Sequence, residues 1–235
     1  MAPRRLFRFD EAVKSMLFIT GTDTGAGKTV LTALLAQFLR ERGDRVAAFK
    51  PICSGGRGDA RQLRAALAGA LTLDEINPWN FRAPVAPLLA ARREKQRVTL
   101  AAVRSHLCAA QKKFAVTLVE GAGGLRSPLG ENFDSLALLA ALPATPIIVA
   151  PNKIGTINHL LLTLAALPEP LRDRAQVVLM TPAKPDAATG SNAALLAEFF
   201  PRKKIFPFPW LGAAFTPARV LRRARVRRVL AALAP

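Results

Sequence analysis

Short apolar runs alternate along this chain with segments whose apolar residues return every three or four positions. The first run is Met16-Leu17-Phe18-Ile19-Thr20, and beyond a glycine-rich interval Leu31, Leu34, Leu35, Phe38 and Leu39 repeat at helical spacing. That order predicts a strand, a turn and a helix. A second strand is expected over 45–50, entered through Gly43 as a helix stop. A loop with glycine and serine spans 51–58, a helix starts near Asp59, and the stretch 71–87 holds Pro78, Pro84 and Pro87 and reads as irregular. Further helices are expected at 99–113, 134–142, 155–167 and 192–200, and further strands at 114–119, 146–150, 176–180 and 204–207, before a basic C-terminal helix. Continuously apolar strands separated by helices make a mostly parallel sheet covered on both faces. The expectation is one α/β domain over 1–235, without internal repeats or a low-complexity linker.

Composition changes this picture little. Of 235 residues, 51% are hydrophobic, enough for a sizeable buried core. Cys53 and Cys108 lie far apart without metal-like spacing and read as free thiols of a reducing compartment. The first ten residues carry Arg4, Arg5 and Arg8 but no apolar run of signal-peptide length, and no stretch approaches ~18 uninterrupted apolar residues. A cytoplasmic protein without a membrane span is expected. The net charge of +18 is the odd bulk property, densest at 219–228, where six arginines stand in ten residues. Nucleic acid, an anionic membrane or anionic metabolites are partners for such charge. There is no tyrosine, and the aromatics do not interleave with the basic residues, so a specific nucleic-acid platform is not expected.

The interval between the first strand and helix, Gly21-Thr22-Asp23-Thr24-Gly25-Ala26-Gly27-Lys28-Thr29, carries the chemistry. Glycines let a backbone pass close to a polyphosphate, and amides at a helix start point at it. Lys28 reaches outer phosphates in such a loop, and the Thr29 hydroxyl holds Mg²⁺. Five residues rather than four separate Gly21 from Gly27. A fold of P-loop NTPase type follows.

Ligands of such sheets bind beyond the carboxyl ends of the strands. Polar residues gather there: Thr24, Lys28 and Thr29 after the first strand, Lys50 and Ser54 after the second, Glu120 after the next, and Asn152, Lys153 and Asn158 after 146–150. Glu120 is either an acid near a metal or a solvated strand end. Asp59 is either a metal ligand or a helix N-cap. Thr29, Asp59 and Glu120 together would suit octahedral Mg²⁺. Lys50 precedes Pro51 and either neutralises a transferring phosphoryl group or lies on the surface. Gly155-Thr156-Ile157-Asn158 opens a helix whose amides suit a carboxylate, although capping by Thr156 or Asn158 explains the same residues. Of the two histidines, His106 and His159, the first lies within a helix and reads as structural.

Four motifs together resemble the dethiobiotin synthetase family: the loop at 21–29, Lys50-Pro51-Ile52-Cys53-Ser54-Gly55, Glu120-Gly121-Ala122-Gly123-Gly124 and Lys153-Ile154-Gly155-Thr156-Ile157-Asn158-His159. Pro209-Trp210-Leu211-Gly212 is a fifth, weaker match, and the extra loop residue is a habit of that family. The resemblance covers a core at 16–212, leaving an extension at 1–15 and a basic helix at 213–235. It implies that diaminopelargonic acid, CO₂ and MgATP give dethiobiotin through a carbamate and a carbamic-phosphoric anhydride. By that resemblance Lys28 and Lys50 stabilise the transferring charges, and Thr24 and Ser54 position diamine and carbamate. Gly25, Ala26, Gly27, Lys28, Thr29, Val30, Glu120, Gly121, Ala122, Gly123, Thr181, Pro209, Trp210 and Leu211 hold the nucleotide. Thr29, Asp59 and Glu120 take Mg²⁺, and Gly155, Thr156, Ile157 and Asn158 hold the substrate carboxylate from the second subunit of a homodimer. Two departures stand out: Leu179-Met180-Thr181-Pro182 lacks the family's adenine-reading asparagine, and Gly25 replaces an acidic side chain. The alternatives are a P-loop ATPase switch that binds DNA non-specifically and a cobyrinate-amidating ligase. The first usually has a second lysine early in its loop, absent from Thr22-Asp23-Thr24; the second adds a glutamine-hydrolysing domain, for which no room remains.

Overall fold

A computed structural model describes residues 14–235; the expected N-terminal extension falls mostly on 1–13, outside the described residues. Strand β1 (Ser15–Gly21) is buried at every position from Met16 to Gly21. Successive strand residues face opposite ways, so continuous burial means that both faces of the sheet are covered. Phe18 and Ile19 are fully buried, and each such side chain contributes about 1.5–3 kcal/mol by leaving water. Helix α1 (Lys28–Glu41) follows, burying Leu31, Leu34, Leu35, Phe38 and Leu39 as its periodicity requires. Strand β2 (Val46–Phe49) comes next.

The segment expected as loop and irregular chain is more ordered than its prolines suggest. Residues 51–58 hold β3 (Ile52–Ser54), the helix expected near Asp59 is α2 (Gly58–Ala66), and α3 (Leu73–Ile76), β4 (Trp79–Phe81) and α4 (Pro87–Arg93) follow, with β3 pairing β4 in parallel. Four-residue α3 is closed by a capping box: Thr72 Oγ1 accepts from the Glu75 amide, and the Glu75 carboxylate accepts from the Thr72 amide. Two proline positions lie at or outside element starts, Pro87 at the N-terminus of α4 and Pro78 just before β4.

Helix α5 (Leu100–Gln111), capped by Thr99, precedes β5 (Val116–Gly124). Here the strand runs through the glycines expected to form a turn. A register shift lets Ile19 pair with Glu120 and Gly21 with Gly124. At Gly123, φ is +63°, and a Cβ would fall 2.2 Å from the Ser127 hydroxyl, so glycine is required there.

A small hairpin, β6 (Pro128–Gly130) with β7 (Phe133–Asp134), leads to α6 (Ser135–Ala140), whose amide at Ala137 donates to Asp134. Then come β8 (Ala144–Pro151), α7 (Thr156–Ala165), α8 (Glu169–Arg174), β9 (Gln176–Met180), α9 (Asn192–Phe199) and β10 (Lys204–Phe208). The single basic helix expected after them is two, α10 (Pro217–Leu221) and α11 (Ala224–Leu233), with Arg222 and Arg223 between. The main sheet has the order β10-β9-β8-β1-β5-β2, parallel throughout. Its strand order reverses around β1, the switch point where open α/β sheets bind ligands.

Candidate functional site

The loop between β1 and α1 is shaped as an anion cradle. Gly27 is the N-cap of α1 with φ +98°, no side chain caps the helix, and no acidic residue stands in its first turn. The first amides of α1 therefore lack helical acceptors. A Cβ on Gly27 would lie 3.0 Å from the Met180 side chain, so the end of β9, and with it Thr181, sits against the loop. The Lys28 ammonium folds over the loop and donates to the Asp23 carbonyl at 2.8 Å. Burial, reinforced by the nearby Lys50 charge, lowers its pKa to about 8.

Lys50 has left β2 and points inward, buried. Its ammonium donates to Glu120 Oε1 at 2.8 Å and to the Gly121 carbonyl at 3.1 Å, and it pairs with Asp59 Oδ2 at 3.0 Å. Burial alone would push this ammonium down, but the charges of Glu120 and Asp59 outweigh burial and hold it above its ordinary value. The surface alternative for Lys50 is thus excluded, as is the solvated strand end for Glu120, which is 1% exposed. Glu120 Oε1 also accepts from the Thr29 hydroxyl at 2.7 Å, while buried Glu120 Oε2 has no partner among the described residues. Asp59 is no N-cap: α2 begins at Gly58 behind Arg57, and the carboxylate turns to Lys50. Two carboxylates and a hydroxyl, one oxygen buried and unpaired, are a hard-oxygen donor set that fits Mg²⁺.

Other expected residues fall around this centre. Thr24 is exposed at the loop tip, its hydroxyl 3.8 Å from where a Gly123 Cβ would stand. Ser54 ends β3 and donates to the Val85 carbonyl at 2.6 Å, leaving oxygen lone pairs free to accept. Gly25, Ala26, Gly27, Lys28, Thr29 and Val30 line the cradle and the start of α1, and Gly121, Ala122 and Gly123 continue β5 beyond Glu120. Pro209, Trp210 and Leu211 follow β10 beside Thr181, whose amide donates to the Phe208 carbonyl; the Trp210 carbonyl accepts from Arg223 at 3.0 Å.

Gly155 is the left-handed N-cap of α7. The capping alternative fails there, because neither Thr156 nor Asn158 caps the helix. The Thr156 hydroxyl, buried, donates back to the Pro151 carbonyl, so the amides of Ile157 and Asn158 and the exposed Asn158 side chain, not the Thr156 side chain, are open to a ligand. Residues 155–158 share the carboxyl edge with the cradle, since β8 flanks β1. None of them bonds to the Lys28, Lys50 and Glu120 cluster among the described residues. His106 is structural: its Nε2 lies 2.8 Å from the Glu75 carbonyl, and its ring meets Phe49 and Trp79 edge-on. Cys53 and Cys108 are both free. The residue that sequence reasoning missed is Asn77, an Asn-Pro step inside a stretch read as irregular.

A family model described as an AAA domain matches residues 15–218. The chain is 39% identical over 199 residues to the ATP-dependent dethiobiotin synthetase of Anaeromyxobacter dehalogenans strain 2CP-C, covering 83% of this chain and 89% of that protein. It is 36% identical over 148 residues to the enzyme of that name from Methanococcus vannielii, covering 63% and 70%. Among solved structures, a ParA family ATPase from Chlorobium tepidum superposes with a TM-score of 0.57 at 13% identity, covering 94% of this chain and 98% of that one. A signal recognition particle receptor from Elizabethkingia anophelis reaches 0.52 at 14% identity, covering 94% and 67%. At such identities the structures speak for the P-loop α/β fold alone.

Proposed function

The chain belongs to the ATP-dependent dethiobiotin synthetase family, and we propose that the cluster around Lys50 is where it carries out that family's reaction. The protein is an ATP-dependent cyclo-ligase that makes dethiobiotin; the DNA-binding and cobyrinate-amidating alternatives are not favoured. The observation that carries the site is the buried Lys50 ammonium held between Glu120 and Asp59, one hydroxyl away from the phosphate cradle.

In the chemistry proposed, one amine of diaminopelargonic acid attacks CO₂ and loses a proton to give a carbamate. A carbamate oxygen takes the γ-phosphoryl group of ATP, releasing ADP. The second amine then attacks the activated carbonyl and loses a proton, phosphate leaves, and the urea ring closes. Negative charge rises on transferring oxygens in each step, and two fixed ammonium groups at the carboxyl edge meet it without reorganising. Lys28 and the amides of 27–30 would hold the outer phosphates; Lys50 would face the carbamate. Thr24 and Ser54 would orient diamine and carbamate. Thr29, Asp59 and Glu120 would hold Mg²⁺, which supplies charge neutralisation at the phosphates. Thr181, Pro209, Trp210 and Leu211 would flank the base, with backbone groups replacing the asparagine of relatives.

A homodimer and a cytoplasmic setting complete the reading. The start of α7 would receive the substrate carboxylate from the facing subunit. In support, Ile154 and Leu162 on that segment are 77% and 64% exposed, an apolar surface suited to being covered. No helix among the described residues is long and apolar enough to cross a membrane.

Purified protein given diaminopelargonic acid, bicarbonate and MgATP should form dethiobiotin and ADP in equal amounts, with little ADP when the diamine is omitted. Diamine-independent ATP turnover without dethiobiotin would refute the reading.

The Lys28 pKa gives a second expectation. The free enzyme loses this cation as pH rises through about 8, whereas bound phosphates stabilise it. Thus kcat/KM for ATP should fall above that pH, while kcat at saturating ATP holds to higher pH. A kcat/KM profile flat through this range would disprove the role of Lys28 charge.

A further inference from the structure

Lys50 stands where β2 has ended, so no neighbouring strand holds its backbone. Residues 76 and 77 do so instead: the Lys50 amide donates to the Ile76 carbonyl at 3.0 Å, and the Asn77 side-chain amide donates to the Lys50 carbonyl at 2.7 Å. The same nitrogen reaches the Pro51 carbonyl at 3.3 Å and the Trp79 carbonyl at 3.4 Å. Asn77 is fully buried, and its Oδ1 has no partner among the described residues. Three carbonyl oxygens around one nitrogen fix the amide's orientation, because a flip would set oxygen against oxygen. The side chain is therefore present for its donors, and an unpaired acceptor is tolerated for them.

The Asn77 main-chain carbonyl completes a ring. It accepts from Arg57 Nη2 at 3.1 Å, Arg57 is the N-cap of α2, and Asp59 in the first turn of α2 pairs with Lys50. We propose that Asn77 is a positioning residue: it clamps the backbone at 50–51 and, through Arg57, the start of α2, so that the Lys50 ammonium meets Glu120 and Asp59 together. The capping box of α3 and the contact of His106 with the Glu75 carbonyl brace the clamp from behind.

The proposal rests on the reading of Lys50 as a group that faces the reacting carbamate. Asn77→Ala is expected to lower kcat by about tenfold or more while KM for ATP stays within about threefold, since the cradle does not touch Asn77. Val177→Ala, a core truncation on β9 away from the site, serves as the control for stability. It should lower the melting temperature yet keep kcat. Asn77→Ser, which retains one donor, should fall between Asn77→Ala and wild type. Wild-type kcat in a folded Asn77→Ala protein, equal kcat losses in Val177→Ala, or failure of both Asn77 variants to fold would each overturn the proposal. If Lys50→Ala itself keeps normal turnover, the reading of Lys50 fails; if Lys50→Ala is inactive while Asn77→Ala is normal, only the clamp fails.

Discussion

Lys28→Ala is expected to lower kcat/KM for ATP by about 10³-fold while leaving the protein folded. Among the described residues the side chain makes one hydrogen bond, to the Asp23 carbonyl, and it holds a cation that burial disfavours. Removing it therefore takes little from the fold and can even stabilise it. On the proposed reading the loss falls on the transition state, where the ammonium would meet charge on the transferring phosphoryl group; a factor of 10³ corresponds to ~4 kcal/mol. Dethiobiotin formation by the variant, with its melting temperature measured beside it, is the check. Activity within about tenfold of wild type would remove Lys28 from the reaction.

Lys50→Ala should behave differently, because it injures both activity and stability. Glu120 is 1% exposed and, among the described residues, would keep only the Thr29 hydroxyl as a partner. A buried carboxylate left without its cation costs about 3–5 kcal/mol, and turnover should fall by about 10²-fold or more. The second substitution Glu120→Gln separates the two effects. Lys50→Ala/Glu120→Gln removes the orphaned charge, so denaturant unfolding should recover most of the lost stability while dethiobiotin formation stays low. A double variant no more stable than Lys50→Ala would mean that the pair does not carry the stability argued for it.

Much of this site was legible in the sequence because its residues sit where regular elements end. The period of Leu31, Leu34, Leu35, Phe38 and Leu39 placed Lys28 and Thr29 at a helix start, and the apolar run before Glu120 placed that acid at the edge of a buried strand. Local pattern failed where long-range pairing decides structure. Residues 52–54 and 79–81 are too short to read as strands alone, and they form because each supplies the other's ladder. The glycines at 121–124 have low strand propensity, yet the shifted register against Gly21 holds them in β5. Arg222 and Arg223 end one helix and begin another, although their composition favours a continuous one. Asn77 gave no signal because its role lies in three carbonyl groups whose convergence only the fold reveals.

The central place of β1 bears on how the enzyme is made. The cradle is encoded near the start of the chain, but both neighbours of β1, β5 and β8, come roughly 100 residues or more later. At about 5–20 residues per second on the ribosome, the nascent glycine loop waits several seconds or longer for the strands that shape it. Until then Lys28 and Thr29 belong to a chain with no surface for nucleotide. ATP can thus be captured only after the central strands β1, β5 and β8 have been synthesised, so the ligand can favour a molecule whose sheet centre is in place and lend nothing to its first steps.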